Sequence, residues 1–196
     1  PISFPASSQS APAVVPMDVG DEDGDDFSAL VFSKTGAFRH GNIGAGITAI
    51  QTMGENEGFT VDATEDATDF NDDNLANYDV VIWLSTTGDV LNDDQQAAFE
   101  RYIQDGGGYA GIHAASDTEY EWPWYADLVG AYFRSHPPGT ANAELVIEDH
   151  VHPSTAHLGD RWEHHDEWYD FRSNPRNDVH VLMSVDETTY QGGAMG

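Results

Sequence analysis

Residues 80–115 read VVIWLSTTGDVLNDDQQAAFERYIQDGGGYAGIHAA, and this stretch decides the fold. Val80-Val-Ile-Trp-Leu84 is apolar on both faces, as a strand buried inside a parallel sheet must be. Asn92 is a helix N-cap, with Asp93 and Asp94 in the first turn where the helix dipole favours negative charge. Ala98, Phe99, Tyr102 and Ile103 then recur at the spacing of one helix face. Gly106-Gly-Gly108 ends that helix, and Tyr109 to Ile112 returns to strand. A strand, a helix and a second strand in immediate succession make a parallel βαβ unit.

The same alternation extends towards the N-terminus. Ser28-Ala-Leu-Val-Phe-Ser33 is a short apolar run, read as a buried central strand. Gly36 to Gly41 is a loop, and Ile43, Ile47 and Ile50 fall at helical spacing, with a stop near Gly54–Gly58. Phe59-Thr-Val-Asp-Ala63 is the next strand. The chain is therefore expected to be α/β and doubly wound, with a mostly parallel sheet flanked by helices. From Pro123 the pattern loosens into a short aromatic-rich helix, Trp124 to Tyr132. Strands are expected at Ala143–Ile147, Trp168–Phe171 and Val179–Met183. Residues 1–26, rich in Pro, Ala and Ser and ending in Asp21-Glu-Asp-Gly-Asp-Asp26, read as a solvated tail or linker, leaving 27–196 as the domain. That acidic run does not have EF-hand spacing.

Charge is the strongest compositional signal. There are 35 acidic residues against seven basic ones, a formal net charge of -28, and Lys34 is the single lysine. Such a surface repels nucleic acid and anionic membranes, so neither is an expected partner. It suits a high-salt environment, where screening within ~3 Å at molar ionic strength removes the self-repulsion. A cation-binding scaffold is the other reading of the same excess. The chain has no cysteine, which removes disulfides, thiolate metal sites and cysteine nucleophiles together. No apolar run approaches the ~20 residues of a membrane-spanning helix.

In open parallel sheets, ligands sit beyond the carboxyl ends of the strands, where strand order reverses. Three loops should meet there: Lys34 to Gly41, Ser85 to Asp89, and Gly111 to Asp117. They place Arg39, His40, Thr86, His113 and Asp117 around a common cleft. His113 stands out, because the small residues around it leave it presented on a strand-to-loop turn, as a nucleophile elbow presents its serine. Its near-neutral pKa suits acid–base work, although a histidine that merely shapes the loop would look the same. Arg39 suits clamping an anionic or keto group, or pairing with one of the many carboxylates.

Seven of the nine histidines lie between His136 and His180. His164-His-Asp-Glu167 and His150-Val-His152 have the composition of metal ligands. Neighbours along a strand point to opposite faces, however, and no H-E-x-x-H or comparable spacing is present, so His150 and His164 read as surface residues. Asp166 and Glu167 beside Tyr169 have the carboxylate-and-aromatic character of sugar sites. Trp122, Trp124, Tyr125, Trp162, Trp168 and Tyr169 suit either stacking on sugar rings or packing in a core.

Several of these segments, taken in order, resemble the trehalose-utilisation (ThuA-like) family. They are Phe38-Arg39-His40, Gly111-Ile-His113-Ala-Ala115, Phe133 with His136-Pro137, His152-Pro153, Asp166-Glu-Trp-Tyr169, and Asn174-Pro-Arg176 followed by Val179 to Leu182. The resemblance spans roughly residues 28 to 193. It implies a flavodoxin-like fold related to class I glutamine amidotransferases, and an association with trehalose-type disaccharides and their 3-keto derivatives. The amidotransferase elbow cysteine is replaced here by His113, so glutamine hydrolysis is not expected. Members of this type look secreted or surface-bound, often joined to carbohydrate-binding or propeller domains. The family usually continues with an Asp-His-Pro segment and a final strand, so the domain's C-terminal end is expected to lie beyond Gly196.

These readings converge on a carbohydrate-active domain that processes a small keto-glycoside or disaccharide, as a hydrolase, lyase or isomerase. His113, His40, Asp166 and Glu167 are the expected acid–base groups. Arg39, Thr86, Asp117, His136 and Tyr169 are expected to hold the substrate. No G-x-G-x-x-G fingerprint linking a strand to a helix and no P-loop is present, so no nucleotide cofactor is implied; a divalent metal held by histidine and carboxylate would act by polarising a carbonyl. The rival reading is a non-catalytic sugar-binding or assembly module of a larger extracellular protein, which needs only an aromatic surface.

Overall fold

The computed structural model describes residues 27–195. The tail proposed for residues 1–26, with its acidic run, lies outside them. Four strands form one parallel sheet: β1 (Ser28–Phe32), β2 (Thr60–Thr64), β3 (Val80–Leu84) and β4 (Gly108–Ile112), in the order β2-β1-β3-β4. β1 pairs in parallel with both β2 and β3, so the strand order reverses between β1 and β3. Every strand of the expected parallel sheet is present within a residue or two.

Alternation along β1 explains the layers. Leu30 and Phe32 face one side, where Val81, Trp83, Phe70, Leu75, Phe99 and Tyr125 complete a fully buried cluster. Val31 faces the other side with Leu84 and Ile50. That second side is covered by α1 (Ile43–Glu57), which stops at Gly58, whose φ of 82° is the left-handed value that favours glycine. The first side is covered by the short α2 (Asp72–Leu75), α3 (Asp93–Gln104) and α4 (Pro123–Val129). α3 begins with the expected cap: the Asn92 side chain accepts from the Gln95 N–H, and the Gln95 side chain accepts from the Asn92 N–H. Trp83 lies at the centre of the larger cluster, stacked on Tyr125 at 4.7 Å between ring centroids. Trp122 and Tyr125 are buried here, so they are core aromatics rather than sugar platforms.

Beyond α4 the architecture changes. β6 (Ala141–Ile147) pairs antiparallel with β7 (Arg161–Asp166) and β9 (Met183–Asp186), in the order β7-β6-β9. β5 (Phe133–Ser135) pairs antiparallel with β8 (Asp170–Phe171). β6 alternates as a half-buried strand should, with Ala143, Leu145 and Ile147 inward. The other expectations here need correction. The Trp168–Phe171 strand shortens to its last two residues. The Val179–Met183 strand starts only at Met183, because the turn through Pro175–Asn177 leaves Val179 in solvent. β7 was not anticipated, since Arg-Trp-Glu-His-His-Asp carries no apolar alternation. Among the described residues no helix is long and apolar enough to cross a membrane.

Candidate functional site

The carboxyl ends of β1, β3 and β4 are tied together by backbone contacts. The Gly36 N–H donates to the Thr87 carbonyl at 2.6 Å, and the Thr87 hydroxyl donates to the Phe38 carbonyl at 2.7 Å. The Gly88 N–H donates to Asp117, and the Gly88 carbonyl accepts from Glu119. Gly88 has a φ of 73°, and a Cβ there would stand 3.0 Å from backbone atoms of Gly36 and Ala37. A side chain at Gly88 would push apart the loops that carry His40 and His113.

Behind β4 the chain turns sharply through residues 113–117. His113 adopts φ 51°, an unfavourable left-handed conformation for a residue with a side chain. The turn is over-determined from below. Ala114 and Ala115 are fully buried, the Thr118 hydroxyl donates to the Ala114 carbonyl, and the Tyr125 hydroxyl donates to the Ala115 carbonyl at 2.8 Å. The carboxylate of Glu119, itself buried, accepts from the N–H groups of Val90 and Leu91 and from the Gln96 amide. The expected elbow is therefore present, with histidine at its apex.

The His113 ring meets groups from both halves of the chain. Its Nε2 lies 3.1 Å from His40 Nε2, 3.2 Å from the Tyr169 hydroxyl and 3.4 Å from Glu167 Oε2. Glu167 directs its other oxygen at His136 Nε2, 3.3 Å away, and the His136 ring is fixed by a 2.7 Å hydrogen bond between Nδ1 and the Pro137 carbonyl. Tyr169 also packs its ring on Phe133 and on the His113 ring, with centroids 4.3 and 4.5 Å apart. Glu167 and Tyr169 come from the extended segment between β7 and β8, where residues two apart share a face. Trp168 between them turns the other way and donates its indole N–H to the Ala141 carbonyl.

The electrostatics follow from this packing. Burial, reinforced by the neighbouring His113, lowers the His40 pKa and favours its neutral form. Burial, with the negative charges of Glu167 and Asp117 nearby, raises the Tyr169 pKa, so its phenol stays protonated and donates. Asp117 accepts from the Tyr120 hydroxyl and faces this cluster as a second negative charge. The Nδ1 of His40 is buried without a hydrogen-bond partner among the described residues. A cavity of about 820 Å³ opens beside Tyr169, bounded also by Phe171, Val181, Met183 and Met195.

Six of the nine sequence-predicted site residues are thus brought together: His40, His113, Asp117, His136, Glu167 and Tyr169. Three are not. Arg39 turns away and pairs with Glu65 at 2.6 Å on the surface. Thr86 is fully buried, with its hydroxyl 2.9 Å from that of Thr118, and it holds the turn rather than a ligand. Asp166 is exposed at the end of β7, where it accepts from the Glu167 N–H and lies 3.6 Å from His164. The surface reading of His150 fits its position beside Asp160, and that of His164 its place against Trp162. Sequence reasoning missed Thr87 and Glu119, which position the cluster from beneath together with the core aromatic Tyr125. Thr87 lies three residues past β3 and Glu119 seven past β4, in polar loops where nothing in the residue pattern sets them apart.

The chain matches the family model described as trehalose utilisation (ThuA) over residues 28–196. A crystal structure of a protein from Bacteroides uniformis, described as ThuA-like, superposes with a TM-score of 0.72 at 25% identity. The match covers 86% of this chain and 72% of that one. A second ThuA-like protein, from Parabacteroides merdae, gives a TM-score of 0.64 at 22% identity, over 82% of this chain and 68% of that one, and shares the fold. No curated protein matches the chain.

Proposed function

Since the chain belongs to the trehalose-utilisation (ThuA) family, we propose that it is a carbohydrate-processing domain whose His113-centred cluster moves protons on a small keto-glycoside or disaccharide. The observation that carries this reading is the convergence of His40, Glu167 and the protonated Tyr169 phenol on His113 Nε2 at the switch of the sheet, with His136 on the second oxygen of Glu167. Position and chemistry agree there, because the groups sit where open parallel sheets bind ligands.

The division of labour follows from what each group can do. The Tyr169 hydroxyl donates to a carbonyl oxygen placed against the cluster, which polarises it and acidifies the neighbouring C–H. His136, partly exposed and held by Pro137, is placed to take that proton and return it to the departing oxygen. In balanced form, a proton leaves the carbon next to the carbonyl, a C=C bond forms, the glycosidic C–O bond on the following carbon breaks, and the leaving oxygen is protonated. Glu167 holds the imidazoles in register, and His113 and His40 present both Nε2 atoms to the reacting end. A glutamine amidotransferase activity has no nucleophile, as the chain lacks cysteine.

The test is turnover of a panel of 3-keto disaccharides in molar salt by the parent chain and by His113→Ala. Turnover by the parent that falls by at least about 100-fold in the variant, with an unchanged circular-dichroism spectrum, supports the proposal. Sugar binding without turnover in both proteins would leave a recognition module and defeat the catalytic reading.

A further inference from the structure

We propose that His40, His113 and Glu167 form a binding site for one divalent transition-metal ion. Three donor atoms, His40 Nε2, His113 Nε2 and Glu167 Oε2, lie mutually within reach of a single ion. Their separations are 3.1 Å between the two nitrogens, 3.4 Å from His113 to the carboxylate and 4.0 Å from His40 to the carboxylate. An ion bound at about 2.0–2.2 Å to each donor spans pairs up to roughly 4.2 Å apart, and tetrahedral or octahedral angles put most pairs at about 3.0–3.5 Å. Two of the distances fall within the narrower range, and the third, 4.0 Å from His40 to Glu167, lies below the upper limit.

Hydrogen bonding alone accounts poorly for the same arrangement. One imidazole nitrogen offers either one proton or one lone pair. His113 Nε2 nevertheless faces His40, Tyr169 and Glu167 at once, each within 3.4 Å. The surroundings also suit a bound cation. The His136 ring, anchored on the Pro137 carbonyl, meets the second oxygen of Glu167, as outer partners of metal-bound carboxylates do. The loops bearing His40 and His113 are cross-linked by the Gly36–Thr87 and Gly88–Asp117 hydrogen bonds, which hold the two nitrogens at a fixed separation.

Donor chemistry selects the ion. Two imidazoles with one carboxylate favour zinc, cobalt, nickel, iron or manganese over calcium and magnesium, which prefer all-oxygen shells. Three protein ligands leave a coordination position open to a substrate oxygen. In the loaded protein His113 and His40 are ligands, and the proton-moving groups are His136 and Tyr169. The inference rests on donor geometry and not on the sugar reading, and binding is measured without any sugar, so either can fail alone.

The experiment is a titration of the chelator-treated, dialysed chain with Co(II), followed by its visible absorption and by calorimetry, with Zn(II) as competitor. One equivalent should bind, with the intensified spectrum of a nitrogen–oxygen site, and Zn(II) should displace it. His40→Ala and His113→Ala, checked for native circular dichroism, should each lose more than the about 10–100-fold that outer-partner changes cost. His164→Ala, altering a surface histidine, should bind like the parent. Absence of saturable binding, or one-equivalent binding unchanged in folded His40→Ala and His113→Ala, would overturn the proposal.

Discussion

The two halves of the chain hold themselves together differently, and the candidate site is built where they meet. Up to β4, the two central strands β1 and β3 are buried on both faces, β2 and β4 flank them as edges, and the loops above are fastened by hydrogen bonds to buried groups such as Thr87 and Glu119. After α4, strands are antiparallel and β7 is largely exposed. Several contacts there are surface ion pairs, such as Arg176 with Glu148 and Arg161 with Glu144 and Asp186. The first half supplies His40 and His113 on a stiff frame. The second brings His136, Glu167 and Tyr169 to them from short strands and extended segments. Rigidity is thus concentrated under the two imidazoles that must keep a fixed separation, and the carboxylate and phenol approach from the softer side.

The comparison is tested most severely in the core of the first half. Trp83→Ala should cost about 3–5 kcal/mol, because its ring is fully buried among Phe32, Phe70, Phe99 and Tyr125. Trp162→Ala, on the exposed β7, should change stability by no more than about 0.5 kcal/mol. Urea unfolding of both variants measures the contrast, and similar losses would erase the distinction between the halves.

Next in size is Glu119. Its carboxylate satisfies two backbone N–H groups and one amide, so Glu119→Ala should cost on the order of 2–3 kcal/mol by stranding buried donors. Burial raises its pKa above the ordinary 4.5. A carboxyl raised in the folded state contributes stability that is complete below the unfolded value and is lost as pH rises through the folded one. Glu119→Gln should therefore flatten the stability profile just above pH 4.5 while retaining an acceptor for Val90 and Leu91.

Glu148 in the second half behaves in the opposite sense. The Arg176 guanidinium, aided by Ser184, holds its carboxyl down at about 2. A depressed carboxyl contributes stability above its unfolded value of about 4.5, and that contribution disappears as pH falls towards about 2. Since the pair is solvent-facing, Glu148→Gln should cost at most ~1 kcal/mol near neutrality, and less in molar salt. Acid titration of Glu119→Gln and Glu148→Gln should thus perturb the profile with opposite signs. The same sign in both would show that the halves do not differ in how they carry charge.

What could be read from the sequence follows the same division. β1 and β3 are visible because burial on both faces demands continuous apolar runs, β4 because the glycine run before it ends the helix, and the topological rule then puts His40 and His113 at one edge. In the second half the rule has nothing to act on. Glu167 and Tyr169 could be singled out by residue type, but nothing in their spacing says that they face His113 across the junction. Asp166 has the same composition signal as Glu167, and only the alternation of the extended segment sends one inward and the other to solvent. β7 was illegible because a strand exposed on most of its surface has no pattern to keep.

The smallest expected effect concerns Arg39, which neighbours His40 in sequence yet belongs to the other side of the loop. Its guanidinium pairs with Glu65, both side chains about half exposed at 50% and 49%. Such a pair contributes within about 0.5 kcal/mol of nothing. Arg39→Ala should leave stability nearly unchanged and keto-sugar turnover within about twofold of the parent, a barrier change of a few tenths of a kcal/mol. His40→Ala, one residue further along, should remove an imidazole that touches His113 and suppress turnover. The pair of variants asks whether the loop after β1 presents its cation or its imidazole to substrate. A large rise in KM for Arg39→Ala with kcat preserved would mean that the arginine leaves Glu65 when substrate binds, and that the softer, charge-carrying character assigned to the second half extends into the rim of the first.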